Sequence, residues 1–147
     1  MPNPAPKDCP LCFPEHETVL WQDASCRVIQ VADEDYPGYC RLIWNNHVAE
    51  MSDLTPFEQR HCFNILMAVE VAVRECFQPD KINLASFGNM VPHLHWHVIP
   101  RYLEDRHFPQ PIWGQTQRKG LPSPAPAVDT AHLATAIRNA IAEQIAG

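Results

Sequence analysis

The segment His93-Leu94-His95-Trp96-His97-Val98-Ile99 carries the side chains of this chain best suited to chemistry. Three imidazoles alternate with apolar residues, and an alternation of two is the period of a β-strand. On a strand through residues 93–99, His93, His95 and His97 share one face, while Leu94, Trp96 and Val98 share the other. The apolar face can pack on a core. Imidazoles in a row on a rigid element suit proton transfer, nucleophilic attack or metal binding near neutral pH. A strand that happens to carry histidines on its wet face is the competing reading, and so is a metal site built from alternate histidines.

A second pair with chemical potential is Cys9-Pro10-Leu11-Cys12. A Cys-x-x-Cys pair is half of a structural zinc site, a redox pair, or two unrelated thiols. No βαβ pattern flanks it, which argues against a thioredoxin-like role. Cys26, Cys40, Cys62 and Cys76 fall inside periodic segments and read as small buried residues. His16, His61, His107 and His132 show no comparable spacing and read as surface residues.

The elements that must position these groups follow from periodicity and turn chemistry. Residues 19–21, 26–31 and 39–44 read as strands, the last two joined by the turn Asp33-Glu34-Asp35-Tyr36-Pro37-Gly38. Thr55-Pro56-Phe57-Glu58 is a helix start, with Thr55 as N-cap, Pro56 at the first position and Glu58 as capping-box partner. Apolar residues at Phe57, Cys62, Ile65, Leu66, Val69, Ala72, Val73 and Cys76 predict one long amphipathic helix over 57–77, ended by Gln78-Pro79. Residues 81–87 form a strand, 88–92 a turn, and 93–99 the histidine strand. After an irregular Pro-rich stretch, Asp129 caps a last helix with Leu133, Ile137, Ile141 and Ile145 on one face. Strands, helix, strands and a terminal helix, without βαβ alternation, predict an α+β fold with an antiparallel sheet.

Size and charge bound the function. At 147 residues the chain makes one domain with a proper core. A formal net charge of −6 disfavours a nucleic-acid backbone as partner. The N-terminal residues carry no apolar stretch of a secretory signal, and no run is long enough to span a bilayer. The expectation is a cytoplasmic protein that binds neither nucleic acid nor membrane, with its six cysteines reduced.

The histidine run resembles the signature of the histidine triad family, and Val98-Ile99-Pro100-Arg101 is similar to the sequence that follows it in the dinucleoside polyphosphate hydrolase branch. Gly88-Asn89-Met90-Val91-Pro92 stands where the family has a Gly-Gln-Ser/Thr-Val stretch, and Pro37-Gly38-Tyr39 with Leu42-Ile43 and Asn46-His47 is similar to the strand before its long helix. The resemblance implies a HIT-like antiparallel sheet with one long helix and a C-terminal helix. It divides the chain into a loose segment 1–8, a HIT domain over 9–113, and a Pro-rich connection with the C-terminal helix over 114–147.

The resemblance also implies chemistry at a nucleotide α-phosphate. His95 matches the family's nucleophile, which forms a nucleotidyl-histidine. His97 hydrogen-bonds a phosphate oxygen or protonates the leaving group, and His93 completes the triad. The Gly88-Asn89 turn supplies donors to the phosphate. Asp33 stands where the family contacts ribose hydroxyls, though a turn-forming Asp explains it equally well. Asn83 is a further nucleotide-binding candidate, for which strand-end hydrogen bonding is the simpler account. Some relatives complete a Cys-x-x-Cys zinc site with two histidines, whose positions here are His47 and His93; Cys9, Cys12, His47 and His93 would then hold a structural zinc. Homodimerisation is implied as well. Trp113 reads as a packing residue within reach of the nucleotide pocket. Two departures stand out: Met90 replaces a hydroxyl donor and Asn89 a longer Gln, while Pro92 removes a backbone donor. The expected activity is hydrolysis of a dinucleoside polyphosphate or nucleoside phosphoramidate. A nucleotidyltransferase or phosphorylase, and a non-catalytic nucleotide- or zinc-binding module, are the alternatives.

Overall fold

The computed structural model describes residues 5–147, so part of the expected loose segment 1–8 lies outside the described residues. Five strands form one antiparallel sheet: β1 (Thr18–Gln22), β2 (Cys26–Gln30), β3 (Cys40–Trp44), β4 (Lys81–Ala85) and β5 (His95–Arg101). Their spatial order is β1-β2-β3-β5-β4. The first three make a meander, and the chain then crosses through α1 (Pro56–Phe77) before β4 and β5 add on; α2 (Thr130–Ala146) closes the fold. This is the α+β arrangement that the periodicity predicts.

Alternation along each strand sorts the residues between two faces. Cys26 and Val28 of β2, Cys40, Leu42 and Trp44 of β3, and Val98 of β5 join the main core with Ile65, Val69 and Val73 of α1 and Leu133, Ile137 and Ile141 of α2. The opposite face carries Ile29, Tyr39, Arg41, His95, His97, Ile99 and Arg101. The N-terminal segment and the loop after β5 fold over parts of it.

α1 starts as its sequence dictates. The Thr55 hydroxyl accepts from the Glu58 backbone N–H, and the Glu58 carboxylate accepts from the Thr55 N–H. Asp129 caps α2 by accepting from the His132 N–H at 2.7 Å. The two apolar stripes overreach at their ends, since Phe57 and Ile145 are exposed. Each lies at a helix end that no partner covers.

One glycine is required. Gly38 has φ +88°, and a Cβ there would stand 2.6 Å from the Phe77 ring. The turn before β3 thus packs on the last residue of α1, and this sets where Tyr39 and Arg41 enter the sheet.

Two expected strands differ most from their patterns, β4 by ending early and β5 by a shift of two residues along the chain. β4 ends at Ala85 and not at residue 87, and β5 begins at His95 and not at residue 93. The His93 N–H is turned back onto the Val91 carbonyl at 2.8 Å, and the Leu94 N–H bonds the Val48 carbonyl at 2.7 Å. His93 therefore lies outside the strand, and alternation does not set its direction.

Candidate functional site

His95 and His97 do share one face of β5, and both are buried against the sheet. They open on a cleft of about 1160 Å³ whose lining includes Ile29, Arg41, Phe87, Trp113 and the segment around Cys9–Glu17. That segment is tied to the sheet by Arg27, which donates to both Glu17 carboxylate oxygens at 2.8 and 2.9 Å and to the Leu11 carbonyl at 2.7 Å.

The two histidines are held in opposite tautomers. His95 Nδ1 lies 2.6 Å from the His93 carbonyl, which only accepts, so Nδ1 carries the proton. Nε2 keeps a lone pair and has no hydrogen-bond partner among the described residues. Ser86 Oγ donates to the His95 carbonyl at 2.9 Å and fixes the backbone from the β4 side. His97 Nδ1 lies 2.5 Å from the Tyr39 hydroxyl. Burial pushes the Tyr39 phenol up, against the pull of the Arg41 guanidinium. The hydroxyl therefore keeps its proton and donates to Nδ1, which leaves the His97 N–H on Nε2. One ring offers a lone pair and the next offers a donor.

Both rings are neutral at pH 7. Burial, then the charge of Arg41, lowers His95, and burial with the neighbouring His95 brings His97 down to about 4. A neutral imidazole is the nucleophilic form. Trp113 stands edge-on to His97 and Phe87 lies tilted against it, with ring centroids 5.0 and 6.1 Å away. Trp113 thus does reach the cleft.

His93 is arranged differently. Its Nε2 donates to the Trp44 carbonyl at 2.5 Å, which leaves Nδ1 as the free lone pair. That atom lies 3.5 Å from Cys9 Sγ, 3.4 Å from Cys12 Sγ and 3.2 Å from His47 Nδ1. His47 Nδ1 is also 3.4 Å from Cys12 Sγ, and all four donor atoms lie within 4.8 Å of one another. A tetrahedral zinc would set two nitrogens roughly 3.3 Å apart and a nitrogen and sulfur roughly 3.5 Å apart. The four donors fit that ion, and the Trp44 carbonyl supplies the outer hydrogen bond that a ligating imidazole commonly has.

Not every candidate reaches the cleft. Gly88 and Asn89 line it. Asp33 does not: one of its carboxylate oxygens accepts from the Asp35 N–H at 3.0 Å within the turn. Asn83 accepts from Arg101 Nη1 at 2.8 Å, also away from the cleft lining. Of the four histidines expected at the surface, His16 and His132 are exposed. His61 is half-buried and bonds Asp23 at 2.7 Å, and His107 is half-buried with Nδ1 2.6 Å from the Tyr36 hydroxyl. Their partners come from distant turns that no local spacing announces.

Tyr39 and Arg41 are the residues that spacing arguments miss. The available signal is a charged residue inside an otherwise apolar strand at the same parity as Tyr39.

A sheet with this strand order, carrying two histidines of opposite tautomer beside a third turned into a Cys-Cys-His cluster, defines a histidine triad class of site. The family model for the HIT domain matches residues 14–104, and the chain belongs to that family. A histidine triad protein from Bradyrhizobium japonicum shares the fold with TM-score 0.67 and 28 % identity, over 85 % of this chain and 90 % of that one. One from Marinobacter aquaeolei VT8 gives 0.67 and 28 %, over 86 % and 90 %. Among curated proteins, a bis(5'-adenosyl)-triphosphatase of Saccharomyces cerevisiae is 35 % identical over 72 residues, 45 % of this chain and 35 % of that protein. An asymmetrical bis(5'-nucleosyl)-tetraphosphatase of Schizosaccharomyces pombe is 31 % identical over 74 residues, 47 % of this chain and 41 % of that protein. The match thus spans between about a third and two fifths of the length of these curated relatives.

Proposed function

We propose that this chain hydrolyses a nucleotide at its α-phosphate through a nucleotidyl-histidine on His95, with a dinucleoside polyphosphate or a nucleoside phosphoramidate as substrate. The observation that carries this reading is the Nδ1–H of His95 held on the His93 carbonyl, with Nε2 unpartnered at the cleft. The names of the two curated relatives, a triphosphatase and a tetraphosphatase of dinucleosides, support the substrate class.

In this reading Nε2 of His95 attacks phosphorus and the bond to the leaving oxygen or nitrogen breaks. The imidazole becomes cationic, and the His93 carbonyl stabilises the charge at Nδ1–H. His97 Nε2–H donates to the leaving atom or to a phosphoryl oxygen as charge develops there. The Gly88-Asn89 turn adds donors on the loop side. Water then attacks the same phosphorus, the bond to His95 Nε2 breaks with its electron pair returning to a neutral imidazole, and the nucleoside monophosphate leaves as the water's proton passes to solvent.

Cys9, Cys12, His47 and His93 would hold a structural zinc, whose contribution is to cross-link the N-terminal segment to the triad. No disulfide joins the six cysteines, which is in keeping with a reducing, cytoplasmic location. No helix among the described residues is long and apolar enough to cross a membrane. A homodimer is supported by Phe63, Met67 and Val71, an exposed apolar row on α1, beside the unpaired edge of β4.

The test is incubation with diadenosine triphosphate and with adenosine phosphoramidate, with and without added phosphate or a sugar phosphate as acceptor. AMP release by the wild type and none by His95→Ala supports the hydrolase. Turnover only with an added acceptor favours a transferase. Binding without turnover, unchanged in His95→Ala, overturns the catalytic reading in favour of a binding module.

A further inference from the structure

Three arginines stand on this face of the sheet: Arg27 of β2 is paired with Glu17, and the other two differ in their surroundings. Arg101 of β5 is 2 % exposed and fully engaged. Its Nε and Nη2 donate to Asp105 at 2.8 and 3.1 Å, Nη1 donates to Asn83 at 2.8 Å, and Nη2 also reaches the Gln110 carbonyl at 2.6 Å. Arg41 sits on β3, the middle strand, directly across from His97 in the register. Among the described residues no carboxylate lies within ion-pair distance of it. Its Nε is buried without a hydrogen-bond partner. The guanidinium carbon lies 5.5 Å from the centroid of the Tyr39 ring, the same Tyr39 whose hydroxyl meets His97.

A buried donor without a partner calls for an explanation, and a charged one more so. Arg41 lines the cleft with His95 and His97. An imidazole carries no negative charge in either protonation state, so neither ring balances its charge. A neutral acceptor such as a nucleobase carbonyl would satisfy a hydrogen bond and leave the charge unopposed. A phosphate oxygen satisfies both, and the guanidinium fork matches it. Met90, which also lines the cleft, offers no hydroxyl donor.

We propose that Arg41 is the anion-binding residue of this cleft: it holds a phosphate oxygen of the nucleotide beside His97, on the β3 side of the phosphorus that faces His95. This assignment rests on the nucleotide reading of the same site. It makes the substrate's charge, and not its base, the feature read on this side of the cleft.

The test is binding by the full chain with its metal content matched, followed by calorimetry and by intrinsic tryptophan fluorescence, with adenosine, AMP and inorganic pyrophosphate as probes. The wild type is expected to bind AMP more tightly than adenosine. Arg41→Met is expected to weaken AMP and pyrophosphate by about 10- to 100-fold, the scale of a charge-assisted hydrogen bond, and to leave adenosine unchanged. Arg41→Lys keeps the charge without the fork and is expected to fall between them. Should Arg41→Met not fold, the intermediate affinity of Arg41→Lys for pyrophosphate carries the test. Equal loss of adenosine and AMP assigns Arg41 to the base or ribose and overturns the proposal, as does unchanged AMP affinity. Adenosine binding without any preference for AMP or pyrophosphate overturns the Arg41 assignment while the nucleoside site stands. Arg41-dependent pyrophosphate binding without nucleoside or nucleotide binding supports an anion site and sinks the nucleotide reading instead.

Discussion

His93 and His95 are two residues apart, yet their rings are wired in opposite senses. His93 gives its Nε2 proton inward to the Trp44 carbonyl and turns Nδ1 to Cys9, Cys12 and His47. His95 gives its Nδ1 proton to the carbonyl of His93 and leaves Nε2 open at the cleft. The backbone makes the difference. His93 stands in the turn before β5, where the chain pairs with Val48, while His95 is the first residue of the regular strand. The lesson is that one carbonyl, that of His93, joins a structural cluster to a reactive ring. Anything that holds His93 in place also fixes the tautomer of His95.

The largest separation between the two residues is expected in turnover. His95→Ala should lower nucleotide cleavage by at least about 10³-fold, the scale lost with a covalent nucleophile, while metal content and thermal unfolding stay near wild type. Metal analysis alongside steady-state kinetics checks both halves. Loss of bound metal in that variant would break the division.

Next comes the cluster. Cys12→Ala, or chelation of the wild type, should remove one metal ion per chain and lower stability by about 3 kcal/mol, roughly 10 °C in Tm. Activity should fall less than in His95→Ala, because the reacting ring is intact and only its support has loosened. Calorimetry before and after chelation measures this. A chelated protein that unfolds at the same temperature would show that the four side chains hold nothing.

A smaller effect isolates the second tautomer. Tyr39→Phe removes the donor to His97 Nδ1 and should cost about tenfold in kcat, the worth of one hydrogen bond, with little change in KM. Nitrogen-15 NMR of the His97 ring should show the proton no longer confined to Nε2. A variant with wild-type kcat would leave Tyr39 a packing residue.

The smallest effect is in pH-dependent stability. His97 is lowered to about 4 by burial, below an ordinary imidazole near 6.5. Above 6.5 the ring is neutral in both folded and unfolded chains, and its contribution to stability is complete. As the pH falls from 6.5 towards 4 the unfolded chain takes up the proton first, so stability drops across that window. The wild type should therefore lose more Tm than His97→Asn between about pH 7 and about pH 5. Parallel melting curves for the two proteins would contradict the burial of His97.

Much of this site is legible in the sequence because it is local. The Thr55-Pro56-Glu58 start, the stripe of α1 and the alternation at His95 and His97 each depend on neighbours a few residues away. The direction of His93 is not legible, because it depends on the Val48 carbonyl taking the place of a regular strand partner. Asp33 stands near the right place in the chain, but its carboxylate closes the turn through the Asp35 N–H. Arg41 and Tyr39 acquire meaning only when β3 lies against β5. Sequence alternation puts them on one face but does not say that the face is the cleft.

The most direct measurement is rapid acid-free quenching during turnover of diadenosine triphosphate, followed by peptide mass mapping. A nucleotide-mass adduct is expected on the peptide carrying residues 93–97, localised to His95 and absent from His95→Ala. An adduct localised to His97, or steady turnover that persists in His95→Ala, would contradict it.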